Sequence, residues 1–184
     1  MNPKAAIVTL NWNGLEHLEY FLPSAESQTY DNYSIIVVDN GSKDKSIEFI
    51  EAEYSNIKII ALDQNLGYAK GFNHGITEAI NLGADYILVT SNDVVLDKNI
   101  LSEGINLFNV SAKTGYMSGK IFNLGQDNVF QYAGGRQSSV NGIGPNRGLG
   151  EKDVGQYEIV EEFEFMDDVC VLVSSTMVQE IGAY

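Results

Sequence analysis

Cysteine, arginine, proline and long apolar runs are what this sequence has least of, and most of these scarcities exclude something. One thiol, Cys170, can close no internal disulfide, and its place in the apolar run VCVLV reads as a buried structural thiol in a reducing compartment. No apolar stretch approaches the roughly 20 residues that a membrane-spanning helix needs. The short run at residues 6–10 gives way to Asn11 too soon to be the core of a signal peptide. The expectation is a cytoplasmic chain, or one peripheral to a membrane. Basic residues are few, and 11 Lys and Arg against 25 Asp and Glu leave a formal charge of −14. That balance argues against nucleic acid as a partner, because nucleic-acid binding rests on clustered cations meeting phosphates. A small phosphorylated ligand is not excluded, provided backbone N–H groups, a few local cations or a divalent metal hold it. Both arginines, Arg136 and Arg147, fall in a glycine-rich stretch, as candidate anion contacts or as solvated loop residues.

What is present is regular. The 184 residues, 44% hydrophobic and 20% charged, suit one domain with a substantial core. AAIVTL at residues 5–10 reads as a strand ended by NWNG; Leu15, Leu18, Leu22 and Ala25 then recur at helical spacing, and Pro23 is expected to kink that helix or end its regular part. SIIVVD at 34–39 is a second strand, apolar on both faces as a strand covered from two sides should be. Ser42 is a candidate N-cap for the next helix, which uses Ile47, Ile50 and Tyr54. Residues 57–62 read as a strand, and 69–82 as a helix with Phe72, Ile76, Ala79 and Ile80 on one face and Gly83 placed to stop it. Another strand at 86–90 precedes a helix at 99–108 with Leu101, Ile105 and Phe108 inward. Such an alternation predicts an α/β fold with a mostly parallel, doubly wound sheet.

Beyond Gly115 the texture changes, because ten of the 18 glycines lie in 115–155 and short β-like runs at 116–122, 129–133, 157–165 and 169–173 replace the helices. The reading is a smaller mixed sheet, a mobile loop over 134–155 and a helix beginning near Ser174 or Ser175. The tail IGAY carries no stop signal and reads as a cut.

Three polar clusters follow apolar strands: NWNG, DNGSKD and TSND. In a parallel sheet all three emerge on one edge, where ligands of open α/β sheets sit, and this gathers Asn11, Asp39 and Asp93. Asp39 can cap the next helix or accept hydrogen bonds from a ribose or a base. No G-x-G-x-x-G follows the first strand, so the dinucleotide fingerprint is missing. In NLGYAKGFNHGI, Gly67, Gly71 and Gly75 stand four apart, a spacing that costs helix propensity and points to close backbone approach to a neighbouring element or a ligand. Lys70 and Asn73 are placed to face a sugar or phosphate, whereas His74 reads as structural. Asp93, beside Thr90, Ser91 and Asn92, offers hard oxygen ligands for Mg²⁺ or Mn²⁺, or is a plain turn aspartate; Asp97 reads as a helix cap.

Six segments in order, IVTLNWNG, IIVVDNGSKDKS, NLGYAKGFNHGI, SNDVVLD, GEKDVGQYE and VCVLVSSTMVQEIGAY, resemble the inverting family 2 glycosyltransferases of the GT-A fold, in particular their bacterial rhamnosyltransferase-like branch. The resemblance implies a nucleotide-binding half at 1–114 and an acceptor-side half at 115–184, incomplete at its C-terminus. It implies that Asp39 contacts the nucleotide base or ribose, that Thr9, Asn11 and Asn13 line the same pocket, and that Gly67, Tyr68 and Asn73 lie along the nucleotide-sugar. Asn92 belongs to the same donor-binding set. Asp93 matches the second acid of the family's DXD-type motif, which holds a divalent metal on the diphosphate; the first acidic position is Ser91 here. The base that deprotonates the acceptor is implied to lie beyond Tyr184, with Asp167 and Asp168 as weak internal candidates. Donor, saccharide or lipid-linked acceptor, a role in cell-surface polysaccharide synthesis and peripheral attachment to the inner face of the cytoplasmic membrane follow from the resemblance alone. The rival readings are a non-catalytic nucleotide-sugar-binding fragment and a sugar-phosphate nucleotidyltransferase, whose Gly-rich basic loop NWNGLEH lacks.

Overall fold

The computed structural model describes residues 2–110, 114–135, 146–163 and 166–184. Alternation along β1 (Ala5–Asn11) prepares two layers at once: Ala5 and Ile7 enter one hydrophobic core, and Ala6 and Val8 the other. On the first side Leu18, Phe21, Leu22 and Ala25 of α1 (Leu15–Glu26) pack with Ile35 and Val37 of β2 (Tyr33–Asp39). Ile50 of α2 (Ser46–Glu53) and Leu101, Ile105 and Phe108 of α4 (Ile100–Val110) complete that layer. On the second side Phe72, Ile76 and Ala79 of α3 (Tyr68–Asn81) pack on Val8, Ile36 and Ile87, with Val178 of α5 (Ser175–Ile181) alongside. Helices on both faces are what the sequence predicts.

The main sheet has the order β3-β2-β1-β4-β8-β5, with β3 (Lys58–Ala61), β4 (Tyr86–Ser91), β8 (Cys170–Ser174) and β5 (Tyr116–Ser118). The first four strands are mutually parallel. Strand β8 runs antiparallel to both β4 and β5, so two strands from the glycine-rich half finish the principal sheet. The separate small sheet is only β6 (Ile121–Phe122) with β7 (Phe130–Tyr132), extended by isolated bridges. Strand order, not chain direction, reverses at β1: β2 and β3 are added to one side of it and β4 to the other. The crevice at such a switch point is where open α/β sheets bind ligands.

Four local expectations are corrected. Residues 157–163 form no strand, and 164–165 lie outside the described residues; the segment's side chains are instead anchored through Lys120 and Arg147. Arg147 is neither an anion contact nor a solvated loop residue, because its guanidinium stacks between Tyr157 and Phe163 and pairs with Glu161. Pro23 does not end α1, which continues to Glu26, and the Ser27 N–H bonds the Pro23 carbonyl at 3.2 Å. Ser42 caps no helix: α2 begins at Ser46, whose N–H and hydroxyl both bond Asp44. Residues 136–145 of the expected loop, with Arg136, lie outside the described residues. Among the described residues no helix is long and apolar enough to cross a membrane.

Candidate functional site

Register places the site. Asn11 pairs with Asp39 across β1 and β2, and Leu10 with Ser91 across β1 and β4, so the polar tips of three strands meet on one edge. They are joined by side chains. Asn11 Nδ2 donates to Asp39 Oδ1 at 2.9 Å, and Asn92 Nδ2 donates to Asn11 Oδ1 at 2.8 Å, spanning the switch point between β1 and β4. Gly14 makes this contact possible, because a Cβ there would stand 2.6 Å from both Asn11 Oδ1 and Asn92 Nδ2.

Asp39 is 1% exposed, and both its oxygens are engaged: the Ser42 hydroxyl donates to Oδ1 at 2.6 Å and the Ser42 N–H to Oδ2 at 2.9 Å. A buried carboxylate is tolerable only when hydrogen-bonded in this way. Ser42 Oγ also accepts from the Asn13 N–H at 2.8 Å, and Asn13 Oδ1 accepts from the Lys43 N–H at 2.7 Å. Asn13 adopts φ +52°, a left-handed conformation that asparagine tolerates better than most residues. It braces the two loops against each other. Thr9 is fully buried, and its Oγ1 finds no hydrogen-bond partner among the described residues; it lies beneath the site rather than on its wall.

Asp93 contrasts with Asp39. It is exposed and makes no hydrogen bond or ion pair with a described residue. Its charge nevertheless acts on Tyr20 of α1, whose hydroxyl is raised above its ordinary value by burial first and by Asp93 second. Among the described residues no group of three or more His, Cys, Asp or Glu side chains is assembled for a metal. A lone exposed carboxylate does fit a Mg²⁺ or Mn²⁺ ion that takes its remaining ligands from phosphates and water.

On the other side of the crevice Asn40, 2% exposed, accepts from the Leu66 N–H at 2.8 Å and donates to Asn65 and to the Gly67 carbonyl, which fixes the start of α3 beside the β2 tip. Gly67 has φ +83° and open space where a Cβ would go, so the turn itself requires glycine. Gly71 and Gly75 serve packing: a Cβ would meet Leu10 Cδ1 at 2.5 Å and Val8 Cγ1 at 2.4 Å respectively. Tyr68 stands at the mouth, its phenol raised well above the usual range by burial, then by Tyr184 and Asp168. Asn73 does not join the strand-tip network; its amide exchanges two hydrogen bonds with the Tyr184 backbone, at 2.9 and 3.1 Å. Lys70 and His74 are exposed on α3.

Asp167 and Asp168 reach the same edge, because Cys170 pairs with Thr90. They do not act as a pair. Asp167 Oδ1 accepts from the Val169 N–H at 3.3 Å, whereas Asp168 lies against Tyr68. Reading the sequence also missed Ser42 as a bridge, Asn40 as a brace and Trp12, the one tryptophan, which stands 58% exposed beside Asn11. The available signal was position: Trp12 and Asn40 follow a strand directly, and Ser42 follows β2 within three residues.

Comparison with known proteins bears on the family and the fold. An uncharacterized glycosyltransferase of Rickettsia typhi is 32% identical over 108 residues, covering 59% of this chain and 33% of the relative. The N-acetylglucosaminyl-diphospho-decaprenol L-rhamnosyltransferase of Mycobacterium tuberculosis is 27% identical over 96 residues, covering 48% and 31%. The chain thus spans about a third of the length of these curated relatives. Among solved structures, S. aureus TarS 1–349 in complex with UDP superposes with a TM-score of 0.67 at 14% identity, over 96% of this chain and 48% of that one. The mannosyltransferase PcManGT from Pyrobaculum calidifontis, in complex with GDP-Man and Mn²⁺, gives 0.54 at 15% identity, over 67% and 36%. The expected GT-A fold is the one this chain shares with TarS. Residues 6–146 match the family model described as glycosyl transferase family 2, and the chain belongs to that family.

Proposed function

We propose that this chain carries the donor-binding part of a glycosyltransferase that moves a sugar, with inversion, from a nucleotide-diphosphate donor to a saccharide or lipid-linked acceptor in cell-surface polysaccharide synthesis. The observation that carries this reading is the hydrogen-bonded line Asp39–Asn11–Asn92 across the switch point, with the unpaired Asp93 at its end. Family membership supports it, as do the UDP bound by TarS and the lipid diphosphate acceptor in the mycobacterial relative's name. Residues 1–114 serve the donor and residues 115–184 the acceptor side. The site faces the cytoplasm, and attachment to a membrane is peripheral.

In this reading Trp12, Asn13, Ser42 and Asn92 present the accessible surface of the nucleoside pocket. Asp39 is reached by a base or ribose when the Ser42 hydroxyl gives way. Gly67 and Tyr68 flank the donor at the start of α3. A divalent cation held by Asp93 would offset charge on the leaving diphosphate. The reaction forms a bond from an acceptor hydroxyl oxygen to the anomeric carbon and breaks that carbon's bond to the diphosphate, while a base takes the hydroxyl proton. Neither Asp167, which accepts from the Val169 N–H, nor Asp168, held against Tyr68, is assigned as that base.

Calorimetric titration with UDP, dTDP and GDP, with and without Mn²⁺, tests the proposal. Binding of one nucleotide strengthened by Mn²⁺ is expected, and Asp93→Ala should abolish the strengthening. No binding of any of the three overturns the reading, and unchanged metal-assisted affinity in the variant removes Asp93 from its role.

A further inference from the structure

Asp93 borders a second space. The loop following β4 and the small sheet face each other across a cavity of ≈ 370 Å³, walled by Val95, Leu96, Ile100, Ile121, Phe122 and Leu124. Three of these are exposed although they are large and apolar: Val95 at 54%, Phe122 at 38% and Leu124 at 65%. Isolated exposed apolar residues need no explanation, but three around one concavity mark a binding surface. Phe122 is held in place by stacking on Phe130, with ring centroids 4.9 Å apart.

The charges at this cavity are selective. Asp93 and Asp97 stand at its rim, and Lys120 is the one cation among its described lining residues. Lys120 is spent on Asp153 and Glu158, at 3.0 and 2.6 Å. Away from Asp93, which the donor reading gives to a divalent cation, a phosphate entering here would meet the Asp97 carboxylate and, among the described lining residues, no unpaired basic side chain. Amide groups remain available, since Asn123 and Gln131 line the wall, as ligand sites that are mostly apolar with a few polar groups require.

We infer that this cavity is the acceptor subsite and that it takes an uncharged saccharide unit with an apolar face, laid against Phe122 and hydrogen-bonded by Asn123 or Gln131. Any phosphate of the acceptor stays outside it. The inference rests on the donor reading of Asp93, because that residue belongs to both spaces, and it adds to that reading the class of group presented to the donor sugar.

The test is saturation-transfer NMR on this chain with UDP and Mn²⁺ present, using methyl α-L-rhamnoside, methyl β-D-glucoside and glucose 1-phosphate as probes. The expected result is transfer to at least one methyl glycoside, at least tenfold weaker affinity for glucose 1-phosphate, and at least a fivefold loss of glycoside affinity in Phe122→Ser. Val95→Asp, an exposed loop substitution with little bearing on folding, should produce the same loss. UDP affinity, measured in parallel, should be unchanged in both variants. No transfer to either glycoside, tighter binding of the phosphorylated sugar, or glycoside binding unaffected by both substitutions each overturns the assignment. Those outcomes leave UDP titration untouched, so failure here and failure of the donor reading are read from different ligands.

Discussion

Asp39 and Asp93 are both carboxylates at strand tips, and their surroundings give them opposite tasks. Removing the Asp39 carboxylate strands buried donors on Asn11 and Ser42, which costs on the order of 2–3 kcal/mol in folding free energy. Urea unfolding of Asp39→Ala is the measurement. Asp93→Ala should stay within about 0.5 kcal/mol in the same assay, as exposed substitutions do, while losing the response to Mn²⁺. Cys170 is half-buried rather than fully buried as its apolar run suggests, yet desolvation still pushes its thiol up to about 11, with Thr90 opposing. Because the thiolate is the reactive form, iodoacetamide at pH 8 should modify the native chain far more slowly than the urea-unfolded one. Equal rates would contradict the burial.

At the scale of elements, α3 shows why glycines four apart need separate explanations. Gly75→Ala places a methyl group against Val8 and Val38 in the sheet, and overpacking of about 1–3 kcal/mol outweighs the gain of up to about 1 kcal/mol in helix propensity. Gly67→Ala meets no atom, and its cost is the left-handed backbone alone, about 1–2 kcal/mol. The pair is separable by thermal unfolding combined with UDP titration, since only Gly67 borders the crevice. Asp44 joins two helix starts, accepting from Leu15 N–H at 3.1 Å and from Ser46. Desolvation opposes its ionisation, yet the hydrogen bonds from Ser46 and Leu15 hold its carboxyl below the usual range. Its contribution is therefore present above the ordinary carboxylate pKa and fades as pH falls through its lowered folded value.

For the whole molecule the formal charge of −14 dominates pH behaviour. Self-repulsion should weaken as pH falls from 8 toward 5, raising the melting temperature. Below about pH 4 the trend should reverse, because carboxyls held low by hydrogen bonds, Asp44 and Asp153 among them, must protonate to match the unfolded chain. Added NaCl should stabilise the chain more at pH 8 than at pH 5, because screening relieves the repulsion; a salt response independent of pH would contradict this. Much of this molecule was legible in advance. Strand and helix periodicities located most ends of the first four units to within two residues, because each strand is apolar on two faces and each helix on one; the start of α2, at Ser46 rather than just after Ser42, is the exception. The convergence of Asn11, Asp39 and Asp93 followed from parallel topology alone. Hidden from the sequence were contacts between residues far apart in the chain. Ser42 reads as a cap by its neighbours and becomes a bridge only because β1 lies beside β2. Strands β5 and β8 are separated by more than 50 residues, and nothing local says that they finish the main sheet. The sequence by itself determined the alternation of elements and the edge on which the polar tips emerge, since both depend on short-range spacing and chain direction. Only the tertiary structure decided which carboxylate is buried and which is left open, because burial is set by what the rest of the chain packs against it.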